Sequence, residues 1–426
     1  MKKLLLALGL TSFIGLAQAQ SMVQIYGTID ESVVSQSGSG LNATNMNSAT
    51  TIPTNLGFRG KEDIGGGNKI GFDLNTGINL NSGNVGSPQA GVGGTSAQNN
   101  YQAQTGTSTM FYRAANVSFE NNEIGTVKVG RQATPFFIST FTADALMTAS
   151  GGIGIAYSMT GAGPYGGNGA LTGNFGAPMN PDTNQSTALG GGIANYSNGV
   201  SYYSPRMYGV RGSVMLGFNN SGSTTPGGAS INQQSLQNVQ VDYAKDDITG
   251  VVSYINMLDN VGHKLSSTTM VGAGYTWNKI TFKGTYLGAQ FGQCSQNTAG
   301  GNCQSSAVSV NSAGTVTGAI YAPVGTNYGH DFNSYALGAS YAMTERLRIA
   351  AQYTTIADTQ VTMNKIGMST LYSEYSLSKR TSLYGLASLV NNTGAANAGP
   401  IFASPTRTPQ NGQQITALAL GMKHTF

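Results

Sequence analysis

The segment LGFRGKEDIGGGNKIGFDLN, residues 56–75, alternates apolar and polar side chains on both sides of a glycine turn. One face carries the apolar side chains, namely Leu56, Phe58, Ile70, Phe72 and Leu74. The other face carries polar ones, namely Arg59, Lys61, Lys69, Asp73 and Asn75. Such alternation is typical of a strand with one apolar and one wet face, and the three glycines at 65–67 supply the positive φ angles of a tight reversal. The segment therefore predicts a β-hairpin in a wall that is apolar on one side and wet on the other.

The same alternation recurs along the chain and predicts about sixteen strands, each close to the length that crosses a bilayer when tilted. The connections between them are alternately short, as at Trp277-Asn278, and long, as at 292–332. Short turns at one rim and long loops at the other are typical of outer-membrane barrels. Besides the hairpin within 56–80, we predict strands near 23–34, 111–119, 126–131, 199–204, 208–218, 236–244, 248–258, 268–276, 279–291, 333–342, 347–356, 365–375, 381–391 and 415–426.

The composition favours the same kind of wall. Charged residues make up 9% of the chain, against roughly a quarter in soluble domains. The rest of the chain after residue 19 has no apolar run long enough for a transmembrane helix. A closed β-barrel satisfies every backbone group between its strands and shows lipid only alternate side chains. We therefore expect an all-β fold, a 16-stranded antiparallel transmembrane β-barrel in contact with outer-membrane lipid.

The first nineteen residues have the pattern of a secretory signal peptide. Lys2 and Lys3 precede an apolar run from Leu4 to Leu16, and Ala17-Gln18-Ala19 is a small-x-small cleavage site. The predicted division is therefore a signal peptide at 1–19 and a barrel at 20–426. The formal charge of +4 includes both lysines, and the small positive charge of the mature chain gives no reason to expect a nucleic-acid partner.

A long tract between two predicted strands, residues 132–198, is rich in Gly, Ala, Thr and Asn. It contains no Lys or Arg, and Asp144 and Asp182 are its only acids. A solvated disordered linker normally carries more charge and fewer apolar groups than Phe136, Phe137 and Phe141 supply. An insertion of this length is uncommon unless it is functional or disordered. We expect a loop packed against another part of the protein.

Cysteine and histidine are too sparse to predict an active site. Cys294 and Cys303 lie in a polar loop, and in an exported chain a disulfide between them is the default expectation. Two sulfurs without a neighbouring His do not make a convincing metal site. The three histidines fall in predicted loops or beside Phe426, so a Ser-His pair is not expected. We expect no enzyme activity, no cofactor and no metal.

Several motifs together resemble the general porins of Gram-negative outer membranes, of the betaproteobacterial and neisserial type. The opening strand, the first hairpin, the segment before the central tract, two later turns and the last residues all take part. They read VQIYGTID at 23–30, GFRGKEDIGGG at 57–67, VKVGRQATP at 127–135, YYSP at 202–205, YSLSKRT at 375–381 and GMKHTF at 421–426. The resemblance spans essentially the whole chain after the predicted signal peptide.

This resemblance implies a sixteen-stranded, homotrimeric barrel whose third long loop, 132–198, folds into the lumen. It also implies insertion by periplasmic chaperones and the barrel-assembly machinery. A barrel closes only if its first strand pairs with its last, so we expect the strand that begins near Val23 to pair with the one that ends at Phe426. A terminal aromatic in that setting resembles the family's insertion signal, and Phe426 is therefore a candidate assembly residue.

Five charged residues are candidates for the pore constriction. Alternation turns Arg59 and Lys61 toward the wet side of the wall. Resemblance adds Arg113 and Arg131, although alternation places both on the apolar face, so that a bulge or a position at the rim is needed to turn them inward. For Arg113, an interfacial arginine is an equal alternative. Asp144 is the candidate acid on the loop.

These features predict a channel for passive diffusion of ions and small hydrophilic solutes. Positive charge on the wall with little opposing acid predicts a weak preference for anions. The alternative is a substrate-specific or gated outer-membrane channel, which would differ only at the constriction. The chain departs from the family in 195–199, where members usually carry an Arg shortly before this segment, and in the low acidity of its central loop.

Overall fold

The computed structural model describes most of the chain. It covers residues 22–38, 40–81, 83, 85, 110–111, 113–146, 195–218, 235–258, 264–291, 302–310, 316–323, 331–359, 362–394, 396 and 411–426, with 302–310 and 316–323 as backbone alone. The predicted signal peptide, Asp182 and Cys294 lie outside these ranges.

The described chain is almost entirely β-structure. In chain order the elements are β1 (Met22–Gly38), β2 (Leu41–Ser48), β3 (Asn55–Gly65), β4 (Asn68–Gly77), β5 (Ala114–Asn121), β6 (Gly125–Ala133), α1 (Pro135–Ala143), β7 (Asn195–Tyr203), β8 (Val210–Gly217), β9 (Ser235–Lys245), β10 (Ile248–Leu258), β11 (Lys264–Trp277), β12 (Ile280–Phe291), β13 (Asn302–Val310), β14 (Val316–Pro323), β15 (Phe332–Ala342), β16 (Leu347–Asp358), β17 (Lys365–Ser376), β18 (Thr381–Thr393) and β19 (Gln414–Thr425). In the described ranges, no helix is long and apolar enough to cross a membrane.

Sixteen of the described strands close into one antiparallel barrel, which confirms the predicted fold class. Each strand pairs with its neighbour in the chain, except that β1 passes to β3 and β12 passes to β15. β19 returns to β1, so that Thr28 lies opposite Thr425 and Ser37 opposite Thr416. The predicted strands agree with these sixteen to within a few residues.

The barrel closes around Gly27 and Phe426. The two residues exchange backbone hydrogen bonds, from Gly27 N to Phe426 O at 3.3 Å and from Phe426 N to Gly27 O at 3.1 Å. A Cβ at position 27 would lie 2.7 Å from Phe426 Cζ, so only glycine leaves room for the ring. The expected pairing of the first and last strands is therefore present.

Three strands were not predicted. β2 lies between the strand predicted near 23–34 and the hairpin predicted within 56–80, and it pairs with the second half of β1, Glu31–Gly38. β13 and β14 form a separate two-stranded sheet within the long connection 292–331. All three extend connections of the barrel and leave its closure unchanged. These strands form because neighbouring strands provide backbone hydrogen-bond partners, and the local sequence pattern does not predict that pairing.

The two faces of the wall differ as alternation predicts. Outward side chains are exposed and apolar, for example Leu337 at 71% and Leu420 at 73%. Inward side chains such as Leu287 and Ile356 are fully buried. Phe136 of α1 packs in the same buried cluster as Leu287, so the helix lies inside the barrel. We call the rim where short turns such as 245–248 join the strands the short-turn end, and we call the opposite rim the long-connection end.

Candidate functional site

The central tract leaves the wall through a capped helix. Thr134 precedes α1, and its side-chain oxygen accepts a hydrogen bond from Phe137 N at 3.1 Å. Pro135 occupies the first turn, where its missing N–H costs nothing. Phe136 N donates to the Asn238 side chain of β9 at 2.9 Å. These contacts turn the chain from β6 across the lumen toward β9.

The end of α1 is fastened to β12. Thr285 Oγ1 donates to the carbonyl of Ala143 at 2.8 Å, and Lys283 Nζ donates to the carbonyl of Asp144 at 3.1 Å. The last carbonyls of a helix have no partner within the helix, and a cation there also interacts favourably with the helix dipole. β12 thus completes the C-terminus of α1 with one hydroxyl and one ammonium group.

The next two residues are fastened to β16. Ala145 N donates to Gln352 Oε1 at 2.9 Å. Arg348 donates from its two terminal nitrogens to the carbonyl of Leu146 at 2.9 Å and to the carbonyl of Ala145 at 3.5 Å. Leu146 is fully buried. The segment that follows the helix therefore lies flat against the inner wall over β12 and β16.

The side chain of Asp144 is enclosed at this junction, with 1% of its surface exposed. Its Oδ1 accepts a hydrogen bond from Leu146 N at 2.9 Å. Burial raises the pKa of the carboxyl from its ordinary value to about 6, and the Leu146 N–H and the nearby Lys283 and Arg348 cations offset only part of that rise. Asp144 faces the basic side chains of β12 and β16 and is not next to Arg59.

Arg59 lies on the inward face of β3, as alternation predicted. Its Nε and one terminal nitrogen donate to Gln24 Oε1 at 3.0 and 2.9 Å, and its guanidinium lies 4.7 Å from the centre of the Tyr26 ring. The Tyr26 hydroxyl donates to Asp73, the cross-strand neighbour of Arg59. Among the described residues no acid forms an ion pair with Arg59, which is exposed to the lumen.

The other predicted wall residues are in different settings. Lys61 forms an ion pair with Glu120 at 2.5 Å near the short-turn end. Arg113 lies in a bend just before β5 and is half-buried. Arg131 is half-buried opposite Ala115, and the register of β6 with β7 shifts between Gly130 and Gln132. The extra residue at this shift lies in β7, and β6 keeps a regular register with β5 through Arg131, so the shift does not turn Arg131 inward. The structure also does not bring Arg113 and Asp144 together with Arg59.

Alternation also places several charged side chains on the inward face that the sequence analysis did not select. Near the short-turn end of their strands, Lys283, Arg348 and Lys423 all lie on the inward face. Arg348 stacks on Tyr372 at 5.1 Å, and Lys423 pairs with Glu374 at 2.7 Å. A parity count would have found these cations from the sequence. Their approach to the central loop is a tertiary contact that no local pattern encodes.

Another inward group of charged residues lies on β6 to β9 and the turn between β7 and β8. The guanidinium of Arg211 is 5.7 Å from the centre of the Tyr203 ring, as is the ammonium of Lys128. Arg211 Nε is 3.0 Å from Asp242 Oδ2, and Arg206 also pairs with that carboxylate. Here two arginines share the carboxylate of Asp242, whereas no described acid forms an ion pair with Arg59.

Two predictions concern residues away from the lumen. Cys294 lies outside the described residues and Cys303 is described by its backbone alone, in β13. The disulfide stays a prediction. Phe426 lies at the seam between β1 and β19, and its assembly role stays a prediction.

Comparisons with known proteins agree with this architecture. A family model described as Gram-negative porin matches residues 5–395. The chain is 26% identical to outer membrane porin protein 32 of Delftia acidovorans over 434 residues, covering all of both chains.

Solved structures show the same fold. An anion-selective porin from Comamonas acidovorans superposes with a TM-score of 0.68 at 21% identity, covering 96% of this chain and 100% of that one. OmpT of Vibrio cholerae superposes with a TM-score of 0.54 at 11% identity, covering 96% of this chain and 99% of that one.

Proposed function

The chain belongs to the Gram-negative porin family, and on that premise we propose that its pore weakly prefers anions to cations. It is an outer-membrane barrel that forms a passive diffusion channel, and its family and fold are those of channel proteins. Ions and small hydrophilic solutes cross such a channel through its water-filled lumen. Selectivity then depends on the fixed charges that meet this water.

The observation that carries the proposal is the unequal exposure of inward charges. Arg59 is exposed to the lumen and held in place by Gln24 and the Tyr26 ring. Asp144, the acid that the central loop brings to the wall, is 1% exposed. A buried carboxyl with a raised pKa is also ionised less fully than an exposed one near neutral pH. Passing ions therefore meet more positive than negative charge.

We assign the constriction to the loop 132–198 with the wall that faces it. Its first part, from Thr134 to Leu146, crosses the inner face of the barrel and narrows the lumen there. Arg59 acts as an exposed wall cation. Lys61 contributes less, because its charge is paired with Glu120. Arg113 and Arg131 are wall candidates of lower weight, because alternation points both of them outward.

The assembled state proposed for the protein is a homotrimer. Glu31, Arg113 and Arg131 have the parity of outward apolar residues such as Ile29, Val117 and Val129. Charged side chains on a lipid-facing surface are costly at membrane depth, so contact between subunits in this sector of β1 to β6 would remove that cost. Periplasmic chaperones and the barrel-assembly machinery complete the proposed set of partners.

The test is the zero-current potential of the purified protein in a planar bilayer under a salt gradient. We expect a wild-type potential of the sign given by anion preference. Arg59→Ala should lower the anion-to-cation permeability ratio about two- to threefold, since one charge within roughly 10 Å acts oppositely on the two ions. Lys365→Ala, at the exposed long-connection end of β17, is the matched control and should leave the ratio unchanged.

A strongly cation-selective wild type, or an Arg59→Ala variant indistinguishable from Lys365→Ala, would refute this assignment of selectivity. Saturation of the current by one sugar or peptide would instead identify a substrate-specific channel.

A further inference from the structure

A second group of inward cations lies on another sector of the barrel. It consists of Lys283 on β12, Arg348 on β16 and Lys423 on β19, hereafter the second cationic patch. Four strands, β1, β19, β18 and β17, separate Arg348 from the strand of Arg59. Only β1 separates Lys423 from that strand, but Lys423 lies opposite Asp30 whereas Arg59 lies opposite Gln24, six residues earlier on β1. The patch is therefore distinct from the Arg59 wall.

The patch meets water while the acids around it are more enclosed. The side chains of Arg348 and Lys423 are 24% and 23% exposed, and that of Glu374, which lies between them, is 15% exposed. Glu374 is 2.7 Å from Lys423 and 3.5 Å from Arg348. Asp144 is 1% exposed. An exposed cation acts on passing ions more directly than an acid that is buried and hydrogen-bonded.

Asp30 is a further acid near this sector. It lies opposite Lys423 in the pairing of β1 with β19 and is fully buried. Its carboxylate accepts hydrogen bonds from Thr51 N at 2.6 Å, Ile52 N at 2.8 Å and the Tyr384 hydroxyl at 2.5 Å. These neutral donors occupy the carboxylate on the wall side and leave Lys423 directed toward Glu374 and the lumen.

Arg348 has a second set of contacts. Its guanidinium stacks on Tyr372 and donates to the carbonyls of Ala145 and Leu146. Because the guanidinium is planar and forked, it can bridge two carbonyls and an aromatic ring at once. A lysine could supply the same charge, but its single ammonium group on a flexible side chain could not make all of these contacts at once.

We propose that Arg348 and Lys423 determine anion preference as a second cationic pole of the channel, and that Arg348 also positions the segment after α1 against the wall. This inference rests on the proposed channel selectivity and extends it to residues outside the Arg59 wall. Lys423 acts through its charge alone. Arg348 acts through its charge and through the carbonyls that it holds.

The experiment compares single channels of five proteins in planar bilayers under a KCl gradient. They are the wild type, Lys423→Met, Arg348→Gln, Arg348→Lys and the control Lys365→Met, which removes an exposed lysine at the long-connection end. Lys423→Met and Arg348→Gln should each lower the anion-to-cation permeability ratio about two- to threefold. Lys365→Met should leave it at the wild-type value.

Arg348→Lys separates position from charge. It should retain the wild-type permeability ratio while adding transitions to lower conductance levels, because one ammonium cannot hold both carbonyls. The second pole is wrong if Lys423→Met and Arg348→Gln both match Lys365→Met. The positioning role is wrong if the current of Arg348→Lys is as steady as that of the wild type.

The outcomes also separate this inference from the proposed function. A cation-preferring wild type contradicts the proposed function, whereas the direction of the shift in Lys423→Met still decides the second pole. If Arg348→Gln does not yield a heat-modifiable barrel on a gel, Lys423→Met alone decides the charge and Arg348→Lys alone decides the position.

Discussion

Along single strands of the barrel, the inward face changes character between the two rims. Toward the long-connection end it carries Leu236, Leu287, Ile356, Ile366 and Ile415, none more than 1% exposed. Toward the short-turn end of the same five strands it carries Asp242, Lys283, Arg348, Glu374 and Lys423. The apolar set packs against protein, in one cluster with Phe136. The charged set reaches water and the central loop. Alternation thus decides which way a side chain points, while position along the strand decides whether it packs or acts on ions.

Preventing barrel closure should have the largest effect, because both halves of the inward face exist only in the closed wall. Phe426→Ala removes the ring that occupies the space above Gly27, and we expect it to reduce the amount of heat-modifiable folded protein severalfold. Gly27→Val disturbs the same contact from the other side, because its Cβ would lie 2.7 Å from Phe426 Cζ and also 2.3 Å from Asn55 O.

Leu420→Ala, on the outward face of the same strand, is the control for closure. Its side chain is 73% exposed, and the folded yield should stay near the wild-type level. Wild-type yields of both Phe426→Ala and Gly27→Val would show that this contact does not limit assembly.

A cavity in the apolar half should affect stability and leave selectivity alone. Leu287→Ala removes a fully buried side chain, and we expect a loss of about 2–5 kcal/mol in unfolding free energy. Leu337→Ala on the neighbouring strand, 71% exposed on the outward face, should cost far less. Denaturant unfolding in detergent measures both, and reversal potentials measure selectivity. A changed permeability ratio in Leu287→Ala would mean that the two halves are not separate in function.

Changing the pH should affect the charged half alone. The pKa of Asp144 is raised to about 6 by burial, so the carboxyl is neutral at pH 5 and ionised at pH 8. The neutral acid stabilises the folded segment below the ordinary pKa near 3.8, and that contribution is lost as pH rises through about 6. The added negative charge should also weaken anion preference at pH 8 relative to pH 5.

The control for this pH effect is Asp144→Asn. It should match the wild type at pH 5 and show stronger anion preference than the wild type at pH 8. Equal zero-current potentials of the wild type and Asp144→Asn at both pH values would show that Asp144 does not affect ion selectivity.

The sequence predicted the barrel because alternation is a property of each strand by itself. β12 was expected at 279–291 and occurs at Ile280–Phe291, and the inward direction of Arg59 followed from the same count. β2 was missed because its residues, among them Asn42, Asn45 and Asn47, lack apolar alternation and depend on pairing with β1.

The candidate site was predicted less well, since it depends on how a loop crosses the lumen. The Thr134-Pro135 start of α1 was a readable helix signal. However, the aromatic and β-branched residues of PFFISTFTA have weak helix propensity. That Asp144 meets Lys283 and Arg348 follows from contacts between residues about 140 and 200 positions apart, which periodicity cannot supply.

The smallest effect is expected outside both halves of the wall. Replacing Cys294 and Cys303 together by Ser should leave conductance and permeability ratio unchanged, because a disulfide in this loop would mainly restrict the loop itself. Intact mass with and without reduction reports whether the bond exists. Two free thiols in protein exported under oxidising conditions would contradict the disulfide.

The seam between β1 and β19 also has a consequence for the order of folding. Thr28 and Thr425 lie opposite each other in the seam, 397 residues apart along the chain. Contacts of such separation form late, because the intervening chain must first be brought together. Until then one edge of β1 is a row of unsatisfied backbone groups that can pair with any other strand it meets. The time spent with this edge open is therefore the interval in which the chain is most exposed to aggregation, and a holding protein that covers β1 during that interval would protect it most.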